Sequence, residues 1–155
     1  MVQDGDKAPP FELPTDDGET LALSGLKGKP IVLYFYPKDD TSGCTVEAKD
    51  FSRLAVDFRK AGVVVVGVSP DSVESHKKFR KKHDLGVALG ADTDKATAMA
   101  YGVWVEKSMY GRKYMGIERS TFLIDGKGRI ARSWRKVKVP GHAEEVLAAA
   151  KALAK

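Results

Sequence analysis

Cys44 is the only cysteine of the chain, and its neighbours are those of a reactive thiol. A free cysteine often serves as a small buried hydrophobe. This one stands among Asp40, Thr41, Ser42, Gly43 and Thr45, a polar, turn-forming run. Before it, the continuous apolar stretch from Ile31 to Tyr36 reads as a strand buried on both faces. Pro37 stops that ladder because it has no N–H to donate. After it, Ala48, Phe51, Leu54, Ala55 and Phe58 recur at helical spacing, with Gly62 as the stop. Thr41 or Ser42 is the expected N-cap. The spacing therefore places the thiol in the first turn of a helix, at a strand–loop–helix junction. A helix N-terminus carries about half a positive charge and N–H groups without partners, both of which favour a thiolate.

A thiolate at such a junction is a nucleophile. Deprotonation alone makes a modest catalyst, because a free thiol is already a few per cent ionised and its nucleophilicity falls with its basicity. The larger contribution must come from donors aimed at the atom that takes up charge as a leaving group departs. The backbone N–H groups of Gly43 and Cys44 lie where an anion nest would form.

The pattern Pro37-x-x-x-Thr41-x-x-Cys44 resembles the peroxidatic motif of peroxiredoxins, and YFYPKDDTSGCTVEAKDF resembles the bacterioferritin comigratory protein, or PrxQ, branch. The likeness continues in GDKAPPFELPTDDGET near the start and KSMYGRKYMGIERSTFLIDGKGRI after residue 106. It implies a thiol-dependent peroxidase acting on hydrogen peroxide and organic hydroperoxides through a Cys44 sulfenic acid. It further implies that Thr41 supplies a hydroxyl that donates and accepts, that Pro37 shapes and shields the pocket, and that Arg119 is the fixed cation. Arginine suits that task because it stays charged and presents its donors in a plane. Glu47 is then the expected partner holding Arg119, the plain alternative being an exposed helical glutamate.

The chain departs from the branch in three places. Lys49 stands where many relatives carry a resolving cysteine, no cysteine occurs near Arg80 in the next helix where others place it, and Ser42 stands where proline is common. The expected mechanism is therefore a one-cysteine one, with sulfenic acid reduced by an external thiol of thioredoxin, glutaredoxin or glutathione type, or by Cys44 of a second chain.

Composition sets wider bounds. With 155 residues and 43% hydrophobic content, residues 1–155 are expected to form one thioredoxin-like domain. No stretch is apolar enough to span a membrane, and MVQDGDKAPP lacks the apolar run of a signal peptide. A single cysteine needs no oxidising compartment, so the cytoplasm is expected. The net charge of +5 raises a nucleic-acid partner. Much of it lies in HKKFRKKH, His76 to His83, whose lysines would face water on a helix with Val73, His76 and Phe79 inside. No nucleic-acid signature accompanies this run, although a basic surface could steer small anions or an acidic protein. No cofactor or metal is expected; seven residues put ~10 Å of helical rise between His76 and His83, too far for one ion. Trp104 and Trp134 read as core or rim residues.

The elements that must position the thiol follow in order. Phe11–Leu13 and Thr20–Leu23 flank Asp17-Gly18 as a hairpin. Gly25 to Lys29 is a loop without P-loop spacing. Val63 to Ser69 is a second buried strand, implying strand–helix–strand and parallel pairing. Asp71 or Ser72 caps the basic helix, Val87–Leu89 is a short strand, and Asp92 or Thr93 caps a helix ending before Gly102. Ser120–Ile124 and Arg129–Trp134 form a hairpin through Asp125 to Gly128. A helix from His142 to Leu153 closes the chain. The fold expected is an α/β thioredoxin-like sandwich, a central mixed sheet flanked by helices with an N-terminal β-hairpin. As a protein it would be a monomer or weak homodimer. The competing functions are a peroxide sensor or redox relay, and a thioredoxin-fold binding module with an inert cysteine.

Overall fold

The computed structural model describes residues 2–154. An N-terminal hairpin, β1 (Glu12–Pro14) and β2 (Thr20–Ala22), leads through a 3₁₀ turn (Leu23–Leu26) into β3 (Ile31–Phe35). There follow α1 (Ser42–Arg53), α2 (Ala55–Lys60), β4 (Val64–Ser69), α3 (Val73–His83), β5 (Ala88–Ala91) and α4 (Ala96–Ala100). The chain continues with β6 (Trp104–Met109), β7 (Arg112–Ile117), β8 (Ser120–Ile124), β9 (Ile130–Trp134) and α5 (His142–Ala154).

The central sheet has the order β5-β4-β3-β8-β9. β3, β4 and β5 pair in parallel, and β8 runs antiparallel to both β3 and β9. Every residue of β3 and β8 is buried; β3 reads as an unbroken apolar run, while β8 opens on Ser120 and Thr121, whose hydroxyls meet the Glu118 carbonyl oxygen and His142 Nε2. The alternate side chains of the two strands build two cores. Val32, Tyr34 and Tyr36 meet Phe51, Phe58, Phe79 and Val146 on one face. Ile31, Leu33 and Phe35 meet Phe11, Leu13, Ala98 and Tyr101 on the other. Helices α1, α2, α3 and α5 thus cover one side, and α4 with the hairpin covers the other.

The helix expected to run unbroken past Cys44 is divided at Leu54 (φ −95°, ψ 6°). Phe51, Leu54 and Phe58 all stay buried across the junction, and Phe58 N–H still donates to the Leu54 carbonyl oxygen at 3.0 Å. Helix α4 begins later than expected. Lys95 takes a left-handed conformation (φ 61°), and Asp92 reaches over it to accept from the N–H groups of Thr97 and Ala98, at 3.1 and 2.8 Å. The β6–β7 hairpin was not expected. Its turn, Tyr110-Gly111, has φ 52° and 78°, the double left-handed signature of a type I′ turn. Its strands are largely exposed and mostly polar, so no apolar alternation betrays them.

One glycine fixes how α1 lies. A Cβ on Gly67 of β4 would come within 2.6 Å of the Tyr34 ring. The ring occupies that space and stacks on Phe51 of α1, centroids 4.6 Å apart and 15° between planes. The Cys44 helix is therefore laid on the sheet through an aromatic contact that needs a bare backbone beneath it.

His142 opens α5 and is buried, its Nε2 2.8 Å from Thr121 Oγ1. Burial pushes the imidazole down from 6.5 to about 4, with Glu145 opposing and Arg119 assisting. The unfolded chain takes up a proton in that interval that the folded chain refuses. This contribution is complete above pH 6.5 and lost as pH falls toward 4. Denaturant unfolding across that window is expected to show the protein losing on the order of 2 kcal/mol relative to His142→Gln. Parallel curves for the two proteins would contradict this.

Candidate active site

The loop between β3 and α1 determines where the thiol points, and α3 holds that loop at two places. Asp39 is buried. It accepts from Tyr36 Oη at 2.6 Å and Ser75 Oγ at 2.7 Å, and lies 2.7 Å from His76 Nδ1. His76 Nε2 in turn lies 3.0 Å from the Gly90 carbonyl oxygen of β5. The backbone N–H of Asp39 donates to Asp71 at 2.7 Å, and Ser69 Oγ donates to the same carboxylate oxygen. Next, Asp40 adopts φ 60°, a left-handed state that aspartate tolerates better than most residues. Its carboxylate meets Lys82 and His83, each at 2.7 Å. The Lys82 bond, then the His83 bond, hold its carboxyl below the usual range. Two members of the basic run read as a solvated face thus anchor the loop.

Beyond this anchor, Thr41 occupies the N-cap of α1, as one of the two candidates, but its side chain does not cap the helix. Its hydroxyl donates to the Lys38 carbonyl oxygen at 2.9 Å. The oxygen of Thr41 is thereby turned into an acceptor, and the hydroxyl is exposed. The first intrahelical bond runs from Thr45 N–H to Thr41 O at 2.9 Å, so the N–H groups of Ser42, Gly43 and Cys44 precede the helical ladder. Pro37 is half-buried at the end of β3.

Cys44 is more buried than a polar surround suggested, at 2% exposure, and it belongs to the core beneath α1. A charge nonetheless reaches it. Arg119, immediately before β8, donates from Nη2 to Cys44 Sγ at 3.2 Å and from Nη1 to Glu47 Oε1 at 2.6 Å. Residues 44 and 47 lie one helical turn apart, so both face the same way, and the guanidinium spans them. Gly43 leaves room for this approach: a Cβ there would stand 3.3 Å from Nη2. The Arg119 carbonyl oxygen accepts from Val137 N–H at 2.9 Å, which ties the arginine's backbone to the loop before α5. Cys44, Gly43, Glu47 and Arg119 are therefore together, with Thr41 and Pro37 along the same loop and helix start.

Glu47 is 1% exposed, far from the surface glutamate that was the plain alternative. Burial pushes its carboxyl up from 4.5 to about 7, against the lowering pull of Arg119. Its Oε2 has no hydrogen-bond partner among the described residues. On the arginine, burial opposes the charge, while Glu47 and Cys44 raise its affinity for the proton.

Sequence reasoning missed the Tyr36–Asp39–His76 cluster. The signal was present: two adjacent aspartates before the cysteine helix, and a histidine on the inner face of the next helix. What sequence lacked was the spatial pairing of β3 with the start of α3.

Residues 5–133 match the AhpC/TSA family. Over 146 residues the chain is 53% identical to a putative peroxiredoxin bcp of Coxiella burnetii, covering 94% of this chain and 97% of that protein. It is 53% identical, over 94% of its length and 93% of the other's, to peroxiredoxin Bcp of Bacillus subtilis. A structure of the Xanthomonas campestris bacterioferritin comigratory protein, described for its alkyl peroxide reduction activity, superposes with a TM-score of 0.89 at 48% identity, covering 94% of this chain and 92% of that one. A cysteine variant of Xylella fastidiosa PrxQ superposes with a TM-score of 0.94 at 42% identity, covering 100% and 99%.

The raised carboxyl of Glu47 makes a signed prediction. The folded chain keeps a proton that the unfolded chain releases between 4.5 and about 7, so stability from this group is present below pH 4.5 and lost as pH rises through 7. Glu47→Gln is expected to gain on the protein by on the order of 2–3 kcal/mol between those limits. Over the same rise its rate of Cys44 oxidation should fall progressively behind, since only the ionised carboxylate pairs fully with Arg119. A rate ratio independent of pH would refute the second expectation.

Proposed function

The chain belongs to the AhpC/TSA family and is a thiol-dependent peroxidase of the peroxiredoxin kind, and on that premise we propose that Cys44 is its peroxidatic residue and Arg119 the cation that serves it. The observation that carries this reading is the guanidinium bond to Sγ at 3.2 Å. An inert structural cysteine has no use for a half-buried arginine aimed at its sulfur.

The Cys44 thiolate attacks the terminal oxygen of hydrogen peroxide or an organic hydroperoxide. An S–O bond forms as the O–O bond breaks, and the second oxygen leaves with a proton as water or alcohol. The sulfur is oxidised by two electrons to a sulfenic acid. Arg119 stabilises the thiolate and the developing charge; Glu47 keeps the guanidinium in place. Thr41, with its proton committed to Lys38, accepts from the O–H of the terminal oxygen and holds that oxygen against sulfur. The N–H groups of Gly43 and Cys44 face the incoming oxygens, and Pro37 limits water. Each donor aimed at the leaving oxygen is worth about 3–4 kcal/mol.

No second cysteine can resolve the sulfenic acid within the chain. Lys49 is exposed, and Arg80 is engaged by Asp16 and by the carbonyl oxygens of Leu85 and Val87. An external thiol therefore displaces water to give a mixed disulfide, and a second thiol releases Cys44 as the disulfide of the reductant departs. Thioredoxin, glutaredoxin and glutathione types are the candidates, together with Cys44 of another copy. We assign residues 1–155 to one domain, acting as a monomer or weak homodimer in the cytoplasm. Among the described residues no helix is long and apolar enough to cross a membrane. Neither the sensor nor the inert-module reading is favoured over turnover.

Peroxide consumption with dithiothreitol should vanish in Cys44→Ser and fall by roughly 10²- to 10³-fold in Arg119→Ala. Retention of most activity by either variant would remove the assignment. With reductant short and peroxide in excess, intact mass should show two added oxygens, the sulfinic acid. A product that stops at one would count against an unprotected sulfenic acid.

A further inference from the structure

Arg119, which bonds the thiol, also lines a cavity of about 350 Å³. Lys107 of β6 and Lys136 of the loop after β9 flank the arginine there, and Val105 and Val137 supply apolar wall. Two carboxylates also border the cavity, and both are engaged. Glu118 is held by Arg135 at 3.0 Å, and Glu106 lies 3.7 Å from Lys113 across the hairpin. Among the described residues neither lysine has a carboxylate within salt-bridge reach. The cavity therefore carries surplus positive charge beside hydrocarbon.

Both lysines are positioned with some cost. Lys107 is half-buried, and burial, with Arg119 next to it, holds its ammonium below the usual range. Lys136 sits at φ 51°, a left-handed state uncommon for a lysine, and the following N–H is bonded to the Arg119 carbonyl oxygen at 2.9 Å. A desolvated lysine and a strained turn converge on one pocket, where an anion would offset the clustered positive charge.

We propose that this cavity is a subsite for the carboxylate of a small organic reagent of Cys44, its carbon chain lying along Val105 and Val137. The carboxylate belongs either to an acidic hydroperoxide or to an acidic thiol that reduces the sulfenic acid. The proposal rests on the peroxidase reading of the same centre. The apolar wall selects a carboxylate on hydrocarbon over an inorganic anion, and lysines suit it as flexible point charges.

The test compares the protein with Lys107→Gln/Lys136→Gln, with Lys136→Gln alone should the double variant fold poorly, and with Lys78→Gln/Lys151→Gln, two exposed lysines away from the cavity, as a charge-matched control. In one arm, oxidation of Cys44 is timed with a six-carbon ω-hydroperoxy acid and with its methyl ester. In the other, reduction of the sulfenic acid is timed with 3-mercaptopropionate and with its amide. Intrinsic reactivity cancels when each acid-to-neutral ratio is compared between proteins. One arm is expected to lose roughly five- to ten-fold in that ratio in the double variant and to keep it in the control. Raised salt should narrow the parent's ratio in the same arm. The arm that responds identifies the source of the carboxylate. Ratios unchanged in both arms overturn the subsite, while failure of the protein itself to consume hydrogen peroxide overturns the peroxidase reading beneath it.

Discussion

A guanidinium held in the protein between a carboxylate and a sulfur constrains everything near it. Arg119 cannot be buried alone, because an uncompensated charge in low dielectric costs several kcal/mol. Glu47 supplies the compensating charge, yet its own burial pushes its carboxyl up to about 7. Each group is thus costly singly and tolerable together, and Cys44 Sγ at 3.2 Å completes the set. That dependence explains local choices otherwise unrelated. A side chain at residue 43 would press on the guanidinium, a Cβ there standing 3.3 Å from Nη2. Residue 47 must follow residue 44 by one turn so that one planar cation reaches both. The unpartnered Oε2 of Glu47 is consistent with a pair placed for chemistry at some expense of stability.

Holding three groups in register requires that the helix start be fixed from both sides. From beneath, Tyr34 lies in the space left by Gly67 and stacks on Phe51. From the flank, Asp39 and Asp40 are gripped by α3 through His76, Ser75, Lys82 and His83. From the far strand, β8 begins one residue after Arg119 and is buried along its whole length. The thiol sits where parallel β3 and antiparallel β8 lie side by side, so the helix start and the arginine approach from adjacent strands.

Much of this was legible because the signals were local or strongly periodic. The buried strands, the thiol in a first helical turn, the β8–β9 hairpin and the closing helix all follow from apolar runs, turn residues and spacing. The thioredoxin-like arrangement agrees with the relatives' structures. Arg119 was different: nothing in IERSTFLID distinguishes it from a surface arginine, and only the family resemblance singled it out. Three features were not legible. The break at Leu54 interrupts an apolar spacing that a continuous helix would equally satisfy. The β6–β7 hairpin has no buried face to impose alternation. The Asp39–His76 contact joins residues 37 apart, and periodicity within one element cannot reveal a partner in another.

The charge distribution connects these observations. The acids nearest the thiol are spent: Asp39 and Asp40 on α3, Glu47 on Arg119, Glu118 on Arg135. The cations are less completely matched, with Lys107 and Lys136 facing the cavity beside the arginine. A surplus of one sign in a partly desolvated recess raises the local concentration of oppositely charged reagents. For an enzyme with one cysteine this bears on the second half of its cycle. The oxidised sulfur waits for a thiol from solution, and the attacking species is a thiolate anion. In the proposed cycle the same cations meet the charge leaving on oxygen in the first half-reaction and the incoming thiolate in the second, without a second sulfur in the chain.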